Sequence, residues 1–260
     1  MNVIVCIKQV PGASLPLDAA GGLDRSRGGS QLNPCDAYAL EAGLRLAEAF
    51  GGRVTALTMG PENAEKVLRI ACGMGVHQAV LLSDRAFAGA DVLATAHTLA
   101  QGIRKIGDAA WIVCGQQTTD GDTAQLPASL AAQLQRPVIG WIKQLEIGTD
   151  GVTAYQELSQ GTQKCRISGP CVLAVGPGIG APRIPSLRQQ LRARTVEITR
   201  LCLSDLADAD PAHYGQQGSA TTVRGLREVH PQPKTAPLSV APAAAAQLIL
   251  GLVKEAKANE

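Results

Sequence analysis

The first 140 residues alternate between short apolar runs and stretches with helical spacing, and this alternation restricts the fold more than any other feature of the chain. Val3-Ile4-Val5-Cys6-Ile7 reads as a buried strand. A long loop follows, with Pro11, Pro16 and the pairs Gly21-Gly22 and Gly28-Gly29. Asn33-Pro34-Cys35-Asp36 then carries helix-start signals: an N-cap residue, a proline suited to the first turn, and an acid at the positive end of the dipole. Leu40, Leu44 and Ala47 give the apolar stripe of that helix, and Gly51-Gly52 ends it. The same sequence of signals recurs. Val54 to Leu57 is a strand, Gly60-Pro61 opens a helix with Val67, Ile70 and Ala71 on its face, and Gln78 to Leu82 is a third strand. Gly89-Ala90-Asp91 leads into a helix from Val92 to Ile106, and Trp111-Ile112-Val113-Cys114 is the next strand. Parallel strands need crossover connections, which the intervening helices supply, so the class is α/β: an open, mostly parallel sheet covered by helices on both faces.

Beyond Pro137 the pattern changes. Val138 to Ile147 carries Gly140 and lacks helical periodicity, while Val152 to Leu158 and Thr162 to Ile167 predict a β-hairpin insertion across Ser159-Gln160-Gly161. Cys171 to Val175 is another buried strand. The following Gly176-Pro-Gly-Ile-Gly-Ala181 matches a GxGxxA fingerprint, but Pro182 and Pro185 stand where its helix should begin, so a turn is expected. Residues 204–237 are polar and dotted with prolines, and Ala241 to Lys257 predict a terminal helix with Leu248, Ile249 and Leu252 on one side. The chain therefore divides into a body of residues 1–203 and an extended C-terminal arm, 204–260.

Composition excludes several functions. Only 3% of residues are aromatic and the net charge is +2, which gives no footing for nucleic acid or an anionic membrane. No apolar run spans a bilayer, and residues 1–8 already read as a strand, so the expected location is the cytoplasm with no membrane insertion. The seven cysteines are odd in number and form no CxxC pair, as expected of reduced, buried thiols rather than metal ligands. His77, His97, His213 and His230 show no ligand spacing, so neither a catalytic nor a metal role is assigned to them.

The connection after the Trp111 strand is the chemically distinctive one. Gln116-Gln117-Thr118-Thr119-Asp120-Gly121-Asp122-Thr123-Ala124-Gln125 is a polar loop, and after it Leu126, Leu130 and Leu134 recur every fourth residue. A strand, a small polar loop and a helix start aim backbone N–H groups at the mouth of a sheet, which suits a phosphate. Asp120 and Asp122 repel a bare phosphate, so they are expected to cap the helix or to accept from ribose hydroxyls. A nucleotide site and a capped connection without a ligand both fit these residues.

Several segments, in this order and spacing, resemble the beta subunits of electron transfer flavoproteins. They are Val5-Cys-Ile-Lys-Gln-Val-Pro11, Leu32-Asn-Pro-Cys-Asp36, Ala56-Leu-Thr-Met-Gly-Pro61, Leu81-Leu-Ser-Asp84, Cys114-Gly-Gln-Gln117, Asp120-Gly-Asp-Thr-Ala-Gln125 and Ala181-Pro-Arg-Ile-Pro-Ser-Leu187. The resemblance implies a Rossmann-like adenine-nucleotide-binding domain. It also implies a heterodimer with an FAD-bearing alpha subunit on which the C-terminal arm packs, and electron transfer between dehydrogenases and a quinone oxidoreductase or similar acceptor. The implied nucleotide contacts are Cys6, Asn33, Asp36, Met59, Gln117, Thr119, Asp120, Gly121, Asp122, Thr123, Ala124 and Gln125. The compact form of Asp120-Gly-Asp-Thr-Ala-Gln125 is similar to the branch that binds FAD, some members of which bifurcate electrons from NADH; the longer form belongs to the AMP-binding branch. FAD is therefore expected in preference to AMP, although Leu126-Pro127-Ala128 departs from the usual Val-Gly-Pro of that branch.

Residues 181–194 resemble the family's partner-recognition loop, with Leu187 at the docking position and Arg183 beside it. The family's dense lysine run is reduced here to Arg188, Arg192 and Arg194, which implies weaker charge steering toward an acidic dehydrogenase. The plainer alternative has Leu187 folded onto its own core. A stand-alone α/β nucleotide binder remains the alternative for the whole chain. No P-loop or pyrophosphatase loop supports it, and it has no use for residues 181–194 or the arm.

Overall fold

The structure, a computed structural model, describes residues 1–12, 29–148, 151–225 and 238–258. Pro16, Gly21, Gly22 and Gly28 of the long loop, His230, and the linker at 226–237 lie outside the described residues. The chain divides into two compact units, Met1–Gly225 and Leu226–Glu260.

Each apolar run named above forms a strand. β1 (Asn2–Cys6), β4 (Arg53–Met59), β5 (Gln78–Leu82), β6 (Ala109–Gly115) and β10 (Cys171–Val175) lie in one nine-stranded sheet with β7 (Val138–Gly148), β8 (Gly151–Leu158), β9 (Gly161–Ile167) and β11 (Ile198–Leu201). The order is β11-β5-β4-β1-β6-β10-β7-β8-β9. Pairing is parallel as far as β7 and antiparallel through the hairpin β8–β9. A separate antiparallel ribbon joins β2 (Gln9–Pro11) to β3 (Ser30–Leu32).

Strand periodicity divides the core in two. Val3 and Val5 of β1 face one side and pack with Leu40 and Leu44 of α1 (Pro34–Phe50) and Leu68 of α2 (Glu65–Met74). Ile4 and Cys6 face the other side, with Leu99 and Ile103 of α3 (Val92–Ile106) and Leu130 of α4 (Leu126–Leu134). Helices thus cover both faces. In α2 the buried side is Val67, Leu68 and Ala71, whereas Ile70, expected on the apolar stripe, is exposed.

Helix ends follow local chemistry. Gly51 closes α1 at φ +65°, where a side chain is strained, and its N–H meets the Ala47 carbonyl. The Asp91 carboxylate caps α3 through the Ala94 amide at 3.0 Å. After β10 the Gly176–Ala181 run is a short 3-10 turn over Pro177–Ile179, as its prolines require. Gly178 is held there by close approach, since a Cβ would press on the Lys143 carbonyl of β7.

Residues 204–225 belong to the first unit. Their anchor is Tyr214, buried 5.3 Å from the Phe87 ring. Among the described residues of the second unit, Pro242–Ala258 form the terminal helix α6. No helix among the described residues is long and apolar enough to cross a membrane.

Candidate functional site

β1 and β6 are neighbours in the sheet, yet the chain reaches them from opposite directions. From β1 it proceeds outward to β4 and β5, then returns across β1 to β6 and on to β10. The loops after β1 and β6 therefore diverge at a topological switch point, and ligands of open α/β sheets sit in the crevice such a divergence leaves at the carboxyl ends of the strands.

The floor of the crevice is a buried polar cluster. Asn33 is fully buried and Asp36 is 3% exposed. One Asp36 oxygen accepts from the Lys8 amide at 2.7 Å, and the other accepts from Asn33 Nδ2 at 2.9 Å. The same Nδ2 donates to the Gln117 carbonyl at 2.9 Å, while Asn33 Oδ1 accepts from the Thr119 amide at 3.3 Å. Asn33 stands at the N-cap position of α1, but its side chain caps the Gln117–Thr119 turn instead of its own helix. Burial pushes the Asp36 carboxyl up to about 7, against the lowering effect of Asn33 and the Lys8 amide. Gly115 ends β6 against this cluster, where a Cβ would overlap Asp36 Oδ1 and the Cys35 carbonyl carbon. Beneath it Cys6 and Cys114 are register partners on β1 and β6; the Cys6 thiol, and after it burial, hold the Cys114 thiol well above its ordinary range.

The exposed rim is the loop itself. Lys8 Nζ reaches the Asp120 carboxylate at 2.8 and 2.7 Å, joining the loop after β1 to the loop after β6. Although burial opposes ionisation, Lys8 holds the Asp120 carboxyl below its ordinary value. This ion pair offsets half of the negative charge that sequence reasoning set against a phosphate. Of the two roles expected of Asp120 and Asp122, capping the following helix or accepting from ribose hydroxyls, the first is not found. Asp120 accepts from the adjacent Gly121 amide at 2.8 Å, and α4 follows its N-cap residue Gln125 with no side-chain cap. Asp122 is too far back along the chain and adopts φ +47°. The left-handed residues of the loop are Asp122 and Ala124, at φ +47° and +53°. Each costs about 1 kcal/mol relative to an ordinary conformation. The result is a row of amides, at Thr123, Ala124 and Gln125, with no acceptor among the described residues, leading into the open N-terminus of α4. Pro127 fits this start because the second helical position needs no N–H partner.

Asn33, Asp36, Gln117, Thr119 and Asp120 are thus brought into one network, with Thr123, Ala124 and Gln125 on its outer edge. Met59 is half-buried at the end of β4, across β1 from β6. Lys8 is the residue that sequence reasoning missed. It lay within a segment that carried the resemblance, but its partner is 112 residues away and no local spacing pointed to it.

Further along α1, Arg183 is held by two carboxylates of that helix. Its guanidinium meets Glu41 at 2.8 and 3.0 Å and Glu48 at 2.6 Å, and its own amide donates to Glu41 at 3.0 Å. This clamp precedes α5 (Leu187–Ala193), whose Ser186 and Gln189 form a reciprocal capping box. Leu187 is 72% exposed, so it does not fold onto the core of its own unit.

Residues 21–206 match the electron transfer flavoprotein domain family. The chain is 37% identical over 233 residues to Protein FixA of Rhizobium meliloti, covering 86% of this chain and 80% of that protein. It is 37% identical to the electron transfer flavoprotein subunit beta of Clostridium acetobutylicum, with 86% of each chain covered. With the caffeyl-CoA reductase-Etf complex subunit CarD of Acetobacterium woodii it shares 36% identity, again over 86% of each.

Proposed function

The chain belongs to the electron transfer flavoprotein family, among its beta subunits, and on that premise we propose that it binds an adenine nucleotide, FAD in preference to AMP, on the loop Gln116–Gln125. One observation carries the reading: the unpartnered amides of Thr123, Ala124 and Gln125 stand before the uncapped start of α4 at the β1/β6 switch point. Amides of this kind bind phosphate oxygens, and the helix dipole adds to the attraction. With Lys8 against Asp120, the pyrophosphate meets a loop whose negative charge is half neutralised. Asp122 is then the free acceptor for ribose hydroxyls.

The chain's own contribution is position and electrostatics. Asn33 ties the loop to α1, Lys8 ties it to β1, and two left-handed residues lie within the stretch that carries the amides. Bound FAD supplies the electron-carrying ring, which the protein orients and tunes. The active assembly is a heterodimer with an alpha subunit that holds its own FAD, to which the C-terminal arm contributes. It passes electrons from a dehydrogenase, or from NADH, to a quinone oxidoreductase or another acceptor in the cytoplasm. The name of the Acetobacterium relative, a subunit of a reductase-Etf complex, favours an acceptor bound within a larger assembly.

The test is a nucleotide count on the purified heterodimer after denaturation and chromatography. Two FAD and no AMP per dimer is the expected result. One FAD with one AMP makes this the AMP-binding type, and no nucleotide beyond the alpha flavin overturns the site.

A further inference from the structure

Elsewhere in the first unit, three side chains from two distant segments converge. His97 lies on α3, and Asp208 and His213 lie on the segment that follows β11. His97 Nε2 is 3.1 Å from Asp208 Oδ2, and His213 Nδ1 is 2.8 Å from that same oxygen. All three ligand atoms fall within 4.8 Å of one another. Ligand atoms around a tetrahedral zinc ion, at about 2.0–2.2 Å from the metal, stand roughly 3.3–3.5 Å apart. The arrangement therefore needs only a small opening to admit a cation.

We infer that His97, Asp208 and His213 form a site for one divalent transition-metal ion of zinc type, which clasps residues 203–219 onto α3. Two imidazoles and one carboxylate are the donor set such ions take, and the single negative charge suits a dication. The set leaves a fourth position for water, and the graded exposure of the side chains, 18% at His97, 26% at Asp208 and 57% at His213, gives an ion a way in from solvent.

The ligands are oriented from behind, as metal ligands are. Asp208 Oδ1 accepts from the Asp210 amide at 3.2 Å. The Tyr214 hydroxyl donates to the Asp208 carbonyl. The His97 ring stands edge-on to Tyr214 at 5.0 Å, and Tyr214 is itself 1% exposed. A buried aromatic thus fixes both the imidazole of α3 and the backbone of the acid. Zinc has no redox chemistry, so the ion acts as a clasp and takes no part in electron transfer. The inference is independent of the nucleotide reading.

The full-length chain, stripped with a chelator under reducing conditions, is titrated with Co²⁺ and then with Zn²⁺, the wild type beside His213→Gln and Asp208→Asn. The expected result is one equivalent of Co²⁺ with ligand-field bands of a nitrogen and oxygen set, displaced by Zn²⁺, and an affinity at least about tenfold weaker in both variants. Zinc should also raise the melting temperature of the wild type and not of the variants. Because the chain has seven cysteines, thiolate-to-cobalt charge-transfer bands would place the ion elsewhere and overturn the assignment. Absence of saturable uptake, or equal affinity in the wild type and both variants, would overturn it as well. His213→Gln removes a side chain more than half exposed, so its fold is retained, which circular dichroism checks.

Discussion

The loop after β6 and the segment at 181–194 are both polar connections to which the sequence assigns function, and the molecule fastens them in different ways. The first is held from below by the buried pair Asn33 and Asp36. The second is held from the side by a half-exposed clamp, Arg183 on Glu41 and Glu48. Buried polar groups fix a conformation closely, because any loss of a partner leaves a desolvated group unsatisfied. An ion-pair clamp near the surface is weaker and yields to salt. The first arrangement suits a rigid binding site and the second suits a docking element, and the exposure of Ile184, Leu187 and Leu191 at 91%, 72% and 51% agrees with that division.

The comparison breaks most visibly with pH. The folded-state pKa of Asp36, about 7, lies above its unfolded value of 3.8, so the folded protein binds the extra proton between those limits. Its contribution is fully present below about pH 4 and is lost as pH rises through 7. Asp36→Asn removes this titration. Urea unfolding at pH 5 and pH 8 should show the wild type losing roughly 3 kcal/mol more than the variant across that interval. Glu41 has the opposite sign: despite burial, Arg183 holds its carboxyl below the ordinary value. Its contribution is present above the unfolded pKa and fades as pH falls through the folded one.

Asn33→Ala comes next. It leaves an Asp36 oxygen and the Gln117 carbonyl without their donor, and about 2–3 kcal/mol of destabilisation is expected in the same unfolding assay. The nucleotide content of the purified heterodimer should fall with it. Arg183→Ala is expected to cost about 1 kcal/mol or less, a difference that shrinks further in molar salt, and to leave nucleotide content unchanged. Equal losses from Asn33→Ala and Arg183→Ala would erase the distinction between the two fastenings. The smallest effect belongs to Leu187→Ala, within about 0.5 kcal/mol in stability because the side chain is exposed. If this segment docks a dehydrogenase, the same change should slow electron transfer from that partner severalfold.

Much of the fold was legible because long elements carry periodic signals. The five strands β1, β4, β5, β6 and β10 each had an apolar run, and α1 and α3 had their start signals in Asn33-Pro34 and Asp91. The ribbon β2–β3 and the edge strand β11 were not legible, since three or four residues are too few to show an alternation. The helix α5 escaped for a different reason: its leucines face outward, so it has no buried stripe. The candidate site was legible as a loop and not as a network. Asn33 and Asp36 read as helix-start residues, whereas Asn33 bonds to a turn more than eighty residues away and Asp36 accepts from the Lys8 amide. Lys8 with Asp120, and His97 with Asp208, are likewise pairings that only the folded topology creates.

Amide hydrogen exchange on the heterodimer, stripped of nucleotide and then reloaded, tests the central claim most directly. Thr123, Ala124 and Gln125 have no protein acceptor among the described residues, so in the stripped protein they should exchange rapidly. Reloading should slow exchange in the peptide spanning 117–128 more than anywhere else in this chain. Protection that falls elsewhere, with 117–128 unchanged on reloading, would contradict the placement of the nucleotide on this loop.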